Sequence, residues 1–113
     1  MANKDVCRLI ASAKDLKKTI KEKDSVLVLF YASWCPYSQK FLPEFINSAG
    51  ASSECHVRIL IDDEDDLVDE YSIEVYPTVL YFKDGKLKKR LDGIHGMGLN
   101  RSQMEDFIKR CGV

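Results

Sequence analysis

The stretch Phe30-Tyr31-Ala32-Ser33-Trp34-Cys35-Pro36-Tyr37-Ser38 joins an apolar run to a helix start and places a cysteine at the join. The run behind it, Val26 to Ala32, has seven residues, far fewer than the about 20 of a membrane-spanning helix. Ser25 to Tyr31 is apolar almost throughout, as a strand covered on both faces is. Ahead of the cysteine, Pro36 suits a first helical position, and Phe41, Leu42, Phe45 and Ile46 recur at helical spacing. Pro43 falls inside that helix and is expected to kink it. Cys35 therefore ends a buried strand and meets the unpaired N–H groups and positive dipole end of a helix, both of which favour a thiolate. With Trp34 and Tyr37 on either side of a turn at a strand's C-terminal end, it is expected to be exposed and to act as a nucleophile.

Outward from this join, strand and helix signals alternate. Val6 to Ile10 is β-prone, and Ser12 with Asp15 forms a weak capping pattern for a helix through about Ile20. Val57 to Ile61 reads as a second buried strand. After the acidic run Asp62 to Asp66, Leu67, Val68 and Tyr71 indicate a short helix with acids near its positive end. Thr78 to Phe82 and Leu87 to Leu91 flank Lys83-Asp84-Gly85-Lys86, whose Asp-Gly pair marks a tight hairpin turn. Lys86, Lys88, Lys89 and Arg90 give the second of these strands the charge of a sheet edge. Asn100 and Gln103 cap a helix striped by Met104, Phe107, Ile108 and Cys111 and stopped by Gly112. The order β-α-β-α-β-α-β-β-α predicts an α/β fold, a central mixed sheet with right-handed crossovers, a closing antiparallel hairpin and helices on both faces.

The 113 residues, 45% hydrophobic and 31% charged, fit one domain over 1–113. A net charge of −1, from 17 basic and 18 acidic residues, offers no attraction to phosphate backbones or anionic membranes, so no nucleic acid and no membrane is expected as a partner. Met1 to Asp5 lacks the apolar segment of a secretory signal, and a cytoplasmic location is expected. Cys7, Cys35, Cys55 and Cys111 share no close spacing, which excludes a paired Cys-x-x-Cys zinc site and argues against a disulfide-stapled scaffold. His56 and His95 have no acid or cysteine at ligand spacing, and the acidic run lacks the glycine and final glutamate of a calcium loop. Neither metal nor cofactor is expected. Cys7 and Cys55 at strand starts and Cys111 on a helix stripe read as core residues, and His95 as a surface residue.

Together with Pro43, Tyr76-Pro77-Thr78, Asp84-Gly85 and Gly93, the opening stretch resembles the thioredoxin superfamily over nearly the whole chain, above all thioredoxins and the catalytic domains of protein disulfide isomerases. The resemblance implies a thioredoxin fold and a cis Tyr76–Pro77 bond beside Cys35. It also implies a groove in which Trp34, Pro36, Tyr37, Tyr76, Pro77 and Gly93 bind an extended substrate polypeptide.

Two departures bear on mechanism. Ser38 stands where the family has its second cysteine, and Leu29 stands where thioredoxins and isomerases carry a buried acid thought to deprotonate that second thiol. A serine hydroxyl does not usefully attack sulfur, so Cys35 can enter a mixed disulfide but not expel its partner from within the motif. Ser38 remains open to three readings: a hydrogen-bond donor to the Cys35 thiolate, a plain helix residue, or a cysteine replaced by mutation. Leu29 favours a natural single-cysteine protein. The expected activity is thiol–disulfide exchange on disulfide-containing proteins or glutathione, with Cys35 and Ser38 as catalytic positions and an external thiol reductant as resolver. A dithiol reductase carrying an introduced Ser38 and a non-catalytic peptide-binding module are the alternatives, and a monothiol glutaredoxin-like role fits the Trp-Cys and Pro-Thr pairs less well.

Overall fold

The computed structural model describes residues 7–51, 55–62 and 65–112. Among them the elements follow the expected order: β1 (Cys7–Ile10), α1 (Ala13–Glu22), β2 (Ser25–Tyr31), α2 (Pro36–Ala51), β3 (Cys55–Leu60), α3 (Asp65–Glu70), β4 (Thr78–Lys83), β5 (Lys86–Leu91) and α4 (Arg101–Cys111). Val6, expected to open the first strand, lies outside the described residues.

The five strands are ordered β1-β3-β2-β4-β5. β3 runs parallel to both β1 and β2, whereas β4 is antiparallel to β2 and to β5. β2 thus has a strand on each side and helices over each face, which is why it is apolar from end to end. Its side chains alternate between two cores. Val26, Val28 and Phe30 pack with Leu16 and Ile20 of α1 and Leu67 of α3. Leu27, Leu29 and Tyr31 pack with Phe41 and Phe45 of α2 and with Met104 and Phe107 of α4. Burial of each large apolar side chain contributes about 1.5–3 kcal/mol.

Local signals account for the ends of several elements. Ser12 Oγ accepts from the Asp15 N–H at 3.2 Å, and Asn100 and Gln103 form a reciprocal capping box. Asp84 and Gly85, at φ 53° and 80°, make the left-handed pair of a tight hairpin turn. Elsewhere pairing overrides hydropathy. β3 begins at Cys55 and not at Val57, because Cys55 pairs with Val26 and His56 with both Cys7 and Leu27. α1 continues past Ile20 to Glu22, and α2 runs through Pro43 to Ala51. Of the acidic run, residues 63 and 64 lie outside the described residues; Asp65 and Asp66 lie in the first turn of α3, and Asp62 precedes the helix and has another role.

Candidate active site

The central strand delivers the chain to the site and α2 carries it away. After Tyr31 the backbone turns through Ala32 to Trp34, the Cys35 N–H donates to Ala32 O at 3.3 Å, and Cys35 O accepts from the Gln39 N–H at 3.1 Å as α2 begins. Cys35 is buried, not exposed as its turn position suggested, with 6% of its surface accessible. Its Sγ lies against the Tyr76 carbonyl oxygen at 3.9 Å, and its side chain belongs to the core cluster that includes Phe30 and Ala32. The exposed groups are its neighbours, Trp34 at 66% and Tyr37 at 41%. The thiol therefore opens at the foot of an aromatic rim.

The second wall comes from the loop before β4. The Tyr76–Pro77 peptide bond is cis, Pro77 is buried, and the Tyr76 ring meets Trp34 edge-on at 5.8 Å. Burial, with the nearby negative charge of Asp65 adding to it, pushes the Tyr76 phenol above its ordinary value. Thr78 Oγ1 donates to Val75 O at 2.6 Å and closes this loop. Gly93 completes the wall: a Cβ there would lie 2.5 Å from the Pro77 carbonyl oxygen, so only glycine lets the end of β5 approach so closely.

Ser38 is fully buried. Its Oγ accepts from the Ala32 N–H at 3.3 Å, which ties the hydroxyl oxygen to the backbone of the turn. Pro36, expected in the groove, is exposed at the first position of α2. Leu29 is fully buried in the α2/α4 core.

Sequence patterning missed Asp62. Its carboxylate accepts from both the Ser33 N–H, at 3.0 Å, and the Ser33 hydroxyl, while Gln39 Nε2 donates to Ser33 O at 3.1 Å. These bonds, led by the Ser33 hydroxyl, hold the Asp62 carboxyl below the usual carboxylate range. The register brings them together: Tyr31 pairs with Leu60, so Ser33 and Asp62 leave the sheet two residues past the same rung.

The other thiols lie elsewhere, and neither Cys7 nor Cys35 is in a disulfide. Cys7 is buried, but Cys55 and Cys111 are only half-buried against the two cores, a correction to their expected core placement. Burial, partly countered by Arg58, pushes the Cys7 thiol up to about 11. His56 is buried, its ring 5.1 Å from that of Phe45 and its Nε2 3.2 Å from Ser48 Oγ; His95 is exposed.

A cysteine at the N-terminus of the helix that follows the central strand, resting on a prolyl loop from across the sheet, defines a thiol protein of the thioredoxin fold. The family model "Thioredoxin" matches residues 8–110, and the chain belongs to that family. It is 33% identical over 84 residues to protein disulfide-isomerase A5 of Mus musculus, an overlap of 69% of this chain and 16% of that protein. It is 35% identical over 85 residues to thioredoxin of Mycoplasma genitalium, covering 74% of this chain and 83% of that one. Among solved structures, Fasciola hepatica thioredoxin matches with a TM-score of 0.79 at 29% identity, covering 91% of this chain and 97% of that chain. The chain thus spans 16–17% of the length of the protein disulfide-isomerase A5 relatives from mouse and Bos taurus.

Proposed function

We propose that this chain is a thiol–disulfide exchange protein in which Cys35 is the single nucleophile and an external thiol completes the cycle. The observation that carries this reading is the placement of Cys35 Sγ at the start of α2 against Tyr76 O, while position 38, one turn on, holds a buried serine bonded to the Ala32 N–H.

The Cys35 thiolate attacks one sulfur of a substrate disulfide. A new Sγ–S bond forms as the substrate S–S bond breaks, and the departing sulfur keeps the electron pair and takes a proton from solvent. The Ser38 hydroxyl does not displace sulfur, so the adduct waits. An external thiolate then attacks the substrate sulfur of the adduct, bonds to it and expels Cys35 as thiolate. Disulfide-containing proteins and glutathione disulfide are the substrate classes, with the backbone beside Pro77 supporting an extended polypeptide and Trp34 and Tyr37 bordering it. A cytoplasmic setting, where reduced thiols are abundant, suits a protein that borrows its resolver.

Incubation with glutathione disulfide, followed by mapping of the modified peptide, tests the reading. The expected result is an adduct on Cys35 that persists until a thiol is added. Preferential labelling of Cys7, Cys55 or Cys111 would overturn it. Undiminished peptide binding by Cys35→Ala, with no adduct on the parent, would favour the binding module.

A further inference from the structure

The two ends of the sheet differ in surface chemistry. At the Cys35 end the exposed side chains Trp34, Tyr37, Ile94 and Met97 are apolar, the last two on a 94–98 hairpin closed by the Ile94–Gly98 bridge. At the other end, where β2 and β5 begin and β4 finishes, the surface is basic. Ser25 pairs with Lys83, and Lys83 with Lys86. The Asp84 N–H donates to Asp24 O at 2.7 Å, which joins the β4–β5 turn to the α1–β2 turn that carries Lys23. Lys23, Lys83, Lys86 and Lys89 are all exposed.

Register gathers three of these lysines on one face. Residues directly opposite each other in an antiparallel pair share a face, as do residues two apart in one strand. Lys86 is opposite Lys83, and Lys89 is opposite Tyr81. A shift between Tyr81 and Phe82 sets Leu87 opposite Phe82 and leaves Lys88 as the extra, bulged residue. Without that bulge Lys86 and Lys89 would fall on opposite faces. With it, Lys83, Lys86 and Lys89 stand together on the face of the sheet that Tyr81 turns to α2 and α4.

Their charge is not balanced locally. Arg8, Lys17, Arg90, Arg101 and Arg110 each pair with an acid, whereas Lys83, Lys86 and Lys89 form no ion pair among the described residues. Like charges directly opposite, as at Lys83 and Lys86, disfavour a strand pair. Protection of the sheet edge does not require this, because charge on β5 alone blocks edge pairing and Lys83 belongs to the strand inside the edge. A cationic face held against its own repulsion, on a chain of net charge −1, is complementary to carboxylates. Glu22, Asp24 and Asp84, exposed beside it, oppose a uniformly anionic lipid surface, whereas a peptide sets its carboxylates beside the lysines alone.

We infer that Lys83, Lys86 and Lys89 form a docking face for an acidic segment of another polypeptide, whose carboxylates meet the three ammonium groups. Lys83 is level with Ser25, roughly 20 Å along β2 from Tyr31 and farther still from Cys35, so a docked segment leaves the thiol open. Such docking needs no sulfur chemistry and stands whether or not Cys35 exchanges disulfides.

Fluorescence anisotropy of a labelled decapeptide of alternating glutamate and serine, added to the full chain at about 0.15 M salt, tests the face, with a lysine–serine decapeptide as its counterpart. The glutamate peptide is expected to bind and the lysine peptide not to. Lys86→Glu combined with Lys89→Glu is expected to weaken binding roughly 10-fold, and Lys86→Gln combined with Lys89→Gln roughly 3-fold. Lys14→Glu combined with Lys18→Glu, an equal change of net charge at two exposed positions of α1, leaves the affinity within about 2-fold. Trp34→Ala leaves it unchanged. No binding of the glutamate peptide, or equal weakening by the α1 pair, would overturn the docking face, and loss of binding in Trp34→Ala would move the peptide to the Cys35 groove and overturn it too. Without peptide binding, capture by phosphatidylserine vesicles or self-association, either one lost in the Lys86→Glu, Lys89→Glu variant, would give the face to lipid or to a second copy of this chain instead.

Discussion

Gly93→Ala isolates the contact that joins the two walls of the site. Gly93 adopts a backbone open to any residue, so alanine introduces no dihedral strain; the added Cβ would meet Pro77 O at 2.5 Å and Val75 Cγ1 at 3.2 Å. Ordinary contact begins at 3.4 Å, so the approach to the Pro77 carbonyl falls short by 0.9 Å. The obstacle is backbone, which cannot rotate aside as a flexible side chain would. Overpacking of this kind costs about 1–3 kcal/mol. Reactivity is expected to suffer more than stability, because the prolyl loop that moves also carries the Tyr76 oxygen lying 3.9 Å from Cys35 Sγ. A misplacement of roughly 1 Å at a reacting centre costs up to about 10²-fold. Urea unfolding followed by the fluorescence of Trp34, the single tryptophan, gives the stability change, and adduct formation with a protein disulfide gives the rate. Gly50→Ala, in α2 with open space around its Cβ, is the control and is expected to be neutral or slightly stabilising. Parental stability and parental rate in Gly93→Ala would refute the argument that the close approach of β5 holds the prolyl loop in place.

Ser38→Cys is expected to release adducts without an added thiol, since two thiols one helical turn apart can close a disulfide. Adding Leu29→Asp is expected to speed that release and lower stability, because Leu29 is fully buried and a carboxylate there is costly; a double mutant no faster than the single would deny the acid this role. The lowered Asp62 value means that its bonds to Ser33 favour the folded turn above the ordinary carboxylate value of about 3.9 and are lost as pH falls through the lower, folded value. An acid transition in Trp34 fluorescence that is absent in Asp62→Asn is the expected signature, and an identical transition in both proteins would exclude Asp62. Arg90 donates to Tyr71 O at 2.9 Å and to Ser72 O at 3.1 Å while pairing with Asp92, so Arg90→Lys, which loses the fork, is expected to cost about 1 kcal/mol after solvent screening. Lys89→Ala on the same strand is expected to change urea stability by less than about 0.5 kcal/mol, and equal effects of the two substitutions would remove the fork from the account.

The features that could be read from sequence were those whose physics is local. Buried β2, the proline-started α2, the caps at Ser12 and Asn100 and the Asp84-Gly85 turn each depend on a few adjacent residues. The burial of Cys35 does not, because the carbonyl that covers it belongs to Tyr76, on a loop across the sheet. The Asp62–Ser33 tie likewise needs the register of β2 against β3 before its partners can be named. The 94–98 hairpin was hidden for a different reason: three glycines among Gly93-Ile94-His95-Gly96-Met97-Gly98 leave no hydrophobic period, and the contacts that give the segment its shape are to Tyr37 and Pro77. Ser38 was placed correctly on the first turn of its helix, but that its oxygen accepts from the Ala32 N–H depends on how the preceding turn folds back.

The arrangement of the four thiols bears on whether the chain can resolve its own adducts. Cys55 is level with Val26 and Cys7 with His56, both at the start of the parallel strands, whereas Cys35 lies beyond the other end of β2. From Val26 to Tyr31 alone, the strand rises roughly 16 Å, well past the about 7 Å over which two cysteine Cα atoms can be bridged. Cys7 is further disarmed by its value of about 11, which leaves it protonated at neutral pH. Cys111 is the last residue of α4, roughly 15 Å along that helix from the end that follows the hairpin. None of the three reaches the Cys35 sulfur without unfolding the sheet or displacing α4. Any release from Cys35 in the absence of added thiol must therefore come from the substrate's own second thiol or from another molecule of the protein. With the glutathione adduct, once the glutathione thiol released in its formation has been removed, only the intermolecular route remains, so the release rate is expected to rise in proportion to protein concentration; a rate independent of concentration would mean that a group within the chain reaches Cys35 after all.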